Sequence, residues 1–250
     1  MKRLILTSLA VALFALSLGG CVQMHSDTVI NEDGSGTATI DFSVSPVVAE
    51  AAQEMRELNS GDDDMEIPSI DDMDKGEIEK AAKEHGVKVK KFEKKEIEGR
   101  KTLSMEFEFK DLKGLSFVMG TTVGEDPSQG MGIVEDSDGN FILQTVTYDF
   151  PVTEEEPEEE EAETAPEEMD PEMMQKQMAI MGKMMGAMAE LDVKMTITVP
   201  GDIISSNAPL VEGRTSTWTI NSGNMMTAGQ DMEPNIKFSS KGLKIKPTQQ

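Results

Sequence analysis

The chain is poor in most of the side chains that do chemistry. Its 250 residues hold one cysteine, two histidines, one tryptophan and one tyrosine. A single cysteine excludes a disulfide framework and a cysteine-based zinc site. The histidines, His25 and His85, neighbour neither a serine nucleophile nor a metal-ligand spacing, and no Gly-rich phosphate loop or metalloprotease pattern occurs. No catalytic residue is assigned, and no metal or cofactor is expected. Cations are scarce too: 23 Lys and Arg stand against 47 Asp and Glu, for a net charge of −24. Sequence-independent binding to nucleic acid is therefore excluded, because the phosphate backbone requires a basic stripe. Past residue 20, Leu, Ile, Val and Phe make up 46 of 230 positions, a fraction near which a highly charged chain stays disordered. A core must be concentrated in some stretches and missing from others.

What is present begins at the N-terminus. Met1-Lys2-Arg3 is a short positive region, and Leu4 to Leu18 is an apolar run broken only by Thr7, Ser8 and Ser17. The run is short for a spanning helix of about 20 residues, and its flanks are those of an export signal. It closes in Leu18-Gly19-Gly20-Cys21, which resembles the bacterial lipobox. That resemblance implies cleavage before Cys21, thioether attachment of a diacylglyceryl group, and acylation of the new amino group by a palmitate-type chain. Two or three acyl chains, at about 0.8 kcal/mol per buried methylene, make a stable anchor. Residues 1–20 are thus expected as a lipoprotein signal peptide and residues 21–27 as a lipidated tether. The mature chain is expected to be anchored to a cell-envelope membrane without spanning it. Val22, where an aspartate would mark inner-membrane retention, favours the outer membrane of a Gram-negative cell.

Hairpin patterns follow. Thr28-Val29-Ile30, the turn Asn31 to Gly36, and the alternation Ala38, Ile40, Phe42, Val44 read as a hairpin with one buried face. Pro46 opens a helix over residues 46–58. Asp74 caps a second, over 75–85, with Glu77 in the capping-box position and Gly86 as the stop. Val87 to Ile97, the turn Glu98-Gly99, and the period-two run Leu103, Met105, Phe107, Phe109 predict a second hairpin. Residues 111–119 read as a short helix or connector. A third hairpin turns at Asp136-Ser137-Asp138-Gly139-Asn140.

Residues 153–172 carry twelve acidic residues and no basic one. Self-repulsion and lack of burial predict a disordered acidic insert there. A solvated spacer is the plain reading and a cation- or partner-binding tail the alternative. A helix over 173–191, a strand over 193–199 and another over 216–220 complete the pattern, and residues 223–250 read as an irregular tail. The expected fold is α+β: a mainly antiparallel sheet of hairpins with two or three helices packed on one face. It forms a single domain over 28–152 and 173–222.

Three features invite a functional reading. Met174, Met178, Met181, Met185 and Met188 form one stripe at helical spacing. The stripe reads first as a helix packing on a sheet. An adaptable surface for a lipid or other apolar ligand and thioether coordination of Cu(I) are the alternatives. Gly182 and Gly186, four apart, would let a second backbone approach. The Asp136–Asn140 and Asn31–Gly34 segments resemble fragments of calcium loops but lack the EF-hand spacing and read as hairpin turns. Residues 80–101 carry nine Lys and Arg against four Glu. This island reads as protection of an edge strand, with anionic lipid head groups as the alternative partner.

The lipobox followed by Asp33-Gly34-Ser35-Gly36-Thr37 resembles bacterial envelope lipoproteins of the LppM-domain type. So does the closing pattern Val199-Pro200-Gly201-Asp202-Ile203-Ile204, then Asn207-Ala208, Gly213 and Trp218. The resemblance implies an envelope-held α+β domain that binds lipid or glycolipid. The expected function is a non-catalytic structural or interaction module, anchored through lipid at Cys21, with an envelope protein or a lipid as partner. The alternative is a module that binds lipid or another apolar ligand between the Met-rich helix and the sheet.

Overall fold

A computed structural model gives the architecture, and it describes residues 22–58, 70–123, 129–147, 171–188, 191–224 and 233–248. Residues 1–20, expected as a signal peptide, Cys21 and the acidic stretch 153–170 lie outside the described residues.

The fold is α+β, with eleven strands in two sheets and four helices among the described residues. Strands β1 (Val22–Ile30), β2 (Gly36–Val44), β3 (Val87–Ile97), β4 (Arg100–Phe109), β7 (Leu191–Thr198), β9 (Leu210–Glu212) and β10 (Thr215–Asn221) build a seven-stranded sheet. Its order is β3-β4-β2-β1-β7-β10-β9. Strands β5 (Gln129–Glu135), β6 (Phe141–Thr147), β8 (Ile203–Ser206) and β11 (Ile236–Phe238) form a smaller sheet ordered β5-β6-β11-β8. Every ladder among the described residues is antiparallel except β1 with β7, which is parallel. The large sheet is therefore mixed at its centre.

The large sheet has one dry face. Its register lines up Met105, Ile40, Ser26, Met195 and Trp218 in one row and Phe107, Ala38, Thr28, Ile197 and Ser216 in the next. The alternate positions, among them Asp41, Thr39, His25 and Asp27, face out, as in an antiparallel sheet solvated on one side. Helix α3 (Leu112–Val123) buries Leu112, Leu115 and Val118 in the main core. It also ties both sheets together: Ser116 Oγ donates to the Met131 carbonyl at 2.8 Å, and Thr28 Oγ1 donates to Met119 Sδ at 3.9 Å. Ile133, Leu143, Ile236 and Phe238 of the small sheet join the same core.

The helix starts obey their caps. In α1 (Pro46–Leu58) the Ser45 carbonyl accepts the first intrahelical bond, from Ala49, and Pro46 holds the N1 position, where no N–H is missed. Before α2 (Lys75–Glu84), Asp74 Oδ1 accepts from the Glu77 N–H at 3.0 Å. The Glu98-Gly99 turn has both residues at positive φ, 54° and 78°, the primed geometry of a two-residue hairpin.

Two expectations about the ends of the domain are corrected. Residues 22–27 are not a tether; they are the first two-thirds of β1, paired with β2 on one side and β7 on the other. The supposed irregular tail supplies β11 and buries Ile236, Phe238 and Ile245. Short polar and irregular stretches hid both. β1 turns Ser26 and Thr28 inward, not large apolar groups, and β11 is only three residues long.

Candidate functional site

Helix α4 (Pro171–Met188) packs against α1. Among its described side chains the buried one is Ile180, 4% exposed, and Lys183 Nζ reaches both carboxylate oxygens of Glu54 at 2.8 and 2.7 Å. Ala51 of α1 is likewise buried, yet neither Ala51 nor Ile180 belongs to the main core. The helix pair is a satellite with a narrow seam.

That seam leaves the methionine stripe outside. Met174 is 46% exposed, Met178 62%, Met181 58% and Met185 68%; Met188 ends the helix, and its side chain lies outside the described residues. The expectation that the stripe packs on the sheet is overturned. At 100° per residue the stripe lies roughly a third of a turn from Ile180, so the side that meets α1 is not the side with the most sulfur. A Cβ added at Gly182 or Gly186 would meet open space, so no second backbone among the described residues approaches there. The apolar face of α4 is wider than the seam it buries.

The position of this pair follows from the register. Val22 pairs with Val44 on one flank and Leu191 on the other, and Val44 pairs with Lys101. The same end of the sheet therefore holds the start of β1, the entry to α1, the exit from α4 and the β3–β4 hairpin tip. A side chain at Gly99 would touch the Pro46 ring, which fixes the tip beside the first turn of α1. Ile97 at the tip and Val47 in α1 are both exposed apolar residues. Cys21 precedes Val22 directly in the chain.

The basic island lies along an edge of the large sheet. β3 is one of the two outer strands of the large sheet, and the lysines of the β3–β4 hairpin pair locally. Lys90 meets Glu108 at 3.2 Å, Lys91 and Lys95 meet Glu93 at 3.4 and 2.9 Å, and Lys101 pairs with Asp71. Hydrogen bonds from Lys95 and then Lys91 hold the Glu93 carboxyl below its usual pKa.

At the opposite end of the sheet lies a cleft of about 640 Å³, lined by Asp33, Asp111, Lys113, Lys244, Ile245 and Lys246 among others. Asp111 Oδ1 accepts from the Lys113 and Gly114 N–H groups, capping α3. Bonds from the Ser35 hydroxyl and N–H, with a contribution from Lys244, lower the Asp33 pKa. Leu112, Ile245 and Pro247 share this lining with the charged groups, so the cleft is polar and apolar in similar measure. Sequence reasoning missed this cleft because three distant turns build it. The one signal was the Asp33-Gly34 turn.

The calcium-like turn Asp136–Asn140 is a hairpin turn held by its own backbone. Asp136 Oδ1 accepts from the Asp138 and Asn140 N–H groups, and Oδ2 sits 2.6 Å from Lys237 Nζ on β11. The Lys237 bond, then the backbone bonds, take the Asp136 pKa down to about 2, and the same contact raises that of Lys237. Of the histidines, His25 pairs with Asp192 at 3.4 Å on the outer face, and the His85 ring stacks on Phe117.

No family model matches the chain, and no curated protein matches it. Among solved structures, the chain is similar to the NMR structure of the folded domain of Mycobacterium tuberculosis LppM, with 11% identity and a TM-score of 0.41. The alignment covers 88% of this chain and 91% of that one.

Proposed function

We propose that this protein is a lipid-anchored envelope lipoprotein that acts as a non-catalytic structural or interaction module held at the membrane surface, with the outer membrane preferred in a Gram-negative cell. One observation carries the reading. The lipobox cysteine is followed at once by a strand in the middle of the main sheet. An acyl group on Cys21 would thus hold a rigid domain directly, not through a flexible leader. No helix among the described residues is long and apolar enough to cross a membrane, and the acyl chains are the attachment this reading requires. Mass spectrometry of membrane-extracted protein should find an acylated Cys21 as the first residue. Cys21→Ala should release the protein from the membrane or leave it unprocessed; an unmodified N-terminus at another residue would overturn the reading.

The alternative, a module that binds lipid or another apolar ligand through the Met-rich helix and sheet, draws on the four exposed methionines of α4. It requires a ligand enclosed between helix and sheet. Native mass spectrometry of protein purified from its own membranes discriminates the two. A lipid retained at fixed stoichiometry favours the carrier, and a protein partner favours the interaction module.

A further inference from the structure

The exposed methionine face of α4 lies beside the point where the anchored reading puts the lipid. Neighbouring strands are about 4.8 Å apart and consecutive Cα atoms about 3.8 Å, so Val44 and Leu191 each fall within about 10 Å of Cys21 across the register. Pro46 is two residues beyond Val44, and Met188 is three residues before Leu191. The first turn of α1 and the last turn of α4 are therefore within about 20 Å of the acylated residue. The β3–β4 tip arrives at the same end, bringing exposed Ile97 with Arg100 and Lys101.

We infer that the exposed methionine face of α4, Met174, Met178, Met181 and Met185, together with exposed Val47 in the first turn of α1, docks on the lipid bilayer that holds Cys21. This rests on the anchored reading and adds a second contact to it. A methionine side chain is unbranched and polarizable, and it adapts to a disordered acyl surface as easily as to a packed one. Helices that lie in a membrane interface present such an apolar stripe with charges on the opposite side; here Lys176 and Lys183 lie opposite the stripe, with Lys183 paired to Glu54 of α1. The stripe is too modest to recruit a protein with a net charge of −24 to an anionic surface unaided. An anchor one residue from the sheet removes that requirement, because docking becomes an intramolecular step at high effective concentration. The β3–β4 hairpin, with seven Lys and Arg against three Glu between Lys88 and Lys101, turns the least acidic part of the domain toward the head groups.

The chain's sole cysteine is the lipidated one, so an introduced cysteine is the only free thiol in the mature protein. Full-length lipidated protein carrying Met178→Cys, Met181→Cys or Val47→Cys, with Glu32→Cys at the far turn as reference, would be nitroxide-labelled. It would be studied in vesicles of phosphatidylethanolamine and phosphatidylglycerol. Labels at 47, 178 and 181 should show a several-fold loss of accessibility to a water-soluble nickel chelate and a gain toward oxygen, while position 32 stays aqueous. Converting Met174, Met178, Met181 and Met185 to Gln should return the label at 47 to water, which separates docking from any affinity of the label itself. The mass of the same sample reports acylation. Acylated protein with aqueous labels at 47, 178 and 181 overturns the docking and leaves the anchor standing. Unacylated protein with buried labels overturns the anchor and the intramolecular route to docking, leaving only an apolar face that binds unaided, and unacylated protein with aqueous labels overturns both.

Discussion

Gly36 shows how much a single residue decides here. A methyl group at this position would press into the Val29 carbonyl and the Phe109 ring, both in the packed end of the large sheet. Gly36→Ala should cost about 1–3 kcal/mol, the usual range for overpacking, seen as a lower midpoint in denaturant titration. Asp136 decides a different property, the acid limb of stability. Its native pKa of about 2 lies below the ordinary aspartate value of 3.8, so the unfolded chain takes up the proton first. The Asp136–Lys237 contact therefore stabilises the fold above the ordinary carboxylate range and is lost as pH falls through the folded pKa. The wild type should lose stability between about pH 4 and pH 2. Asp136→Asn should be less stable at neutral pH and lose less across that window than the wild type, with Asp33 and Glu93 still contributing, measured as urea midpoints at stepped pH. Lys237 acts with the opposite sign: its raised pKa gives stability that is complete below 10.5 and fades as pH rises through the higher folded value.

At the scale of elements, legibility followed the size and regularity of the buried groups. The β3–β4 hairpin was plain because Leu103, Met105, Phe107 and Phe109 alternate with polar residues, and all four are buried. Helices α1 and α2 were plain because Ser45-Pro46 and Asp74 with Glu77 are local signals that need no tertiary context. Strand β1 was legible only in its last residues. Its inward positions include Ser26 and Thr28, and such residues are tolerated inside because neighbours supply polar or polarizable partners; Thr28, for one, reaches Met119 Sδ. Periodicity placed α4 but misassigned its face, since a stripe of methionines reads as core while the partner helix seats on Ile180. That difference has a measurable sign. Met105→Ala, at a buried position in β4, should cost about 2–5 kcal/mol, whereas Met178→Ala should stay within about 0.5 kcal/mol in solution. Equal losses in thermal unfolding would mean that the stripe is packed after all.

For the whole molecule, the two sheets close into one core only when the last thirty residues are in place. Phe238 and Ile236 are fully buried between β6 and β8. The Lys244 N–H bonds the Glu32 carbonyl, and the Thr248 N–H bonds that of Ile133, each at 2.7 Å. Phe238→Ala should cost about 3–5 kcal/mol. A chain ending before residue 233 should lose cooperative unfolding altogether, followed by near-UV circular dichroism. This part of the fold was illegible because its apolar residues are spread thinly: Ile236, Phe238, Leu243 and Ile245 sit among lysines and serines, with no stretch long enough to show a period. The cleft between Asp33 and Lys246 was hidden for the same reason, being assembled from turns that share no local pattern.

The parallel pairing of β1 with β7 also sets a timetable. Val22 meets Leu191, so the first ordered strand waits for a partner 169 positions later in the chain. Contacts of such separation are slow to form because the loop between them must close first. A chain threaded through a translocon from its N-terminus releases β2 early and β7 late. During that interval β1 carries one satisfied edge and one open edge, the kind of edge on which foreign strands add. If the chain is exported as proposed, folding becomes a race between completing the sheet from within and having it completed by a neighbour, and whatever holds the nascent chain apart from its copies decides the yield of folded protein.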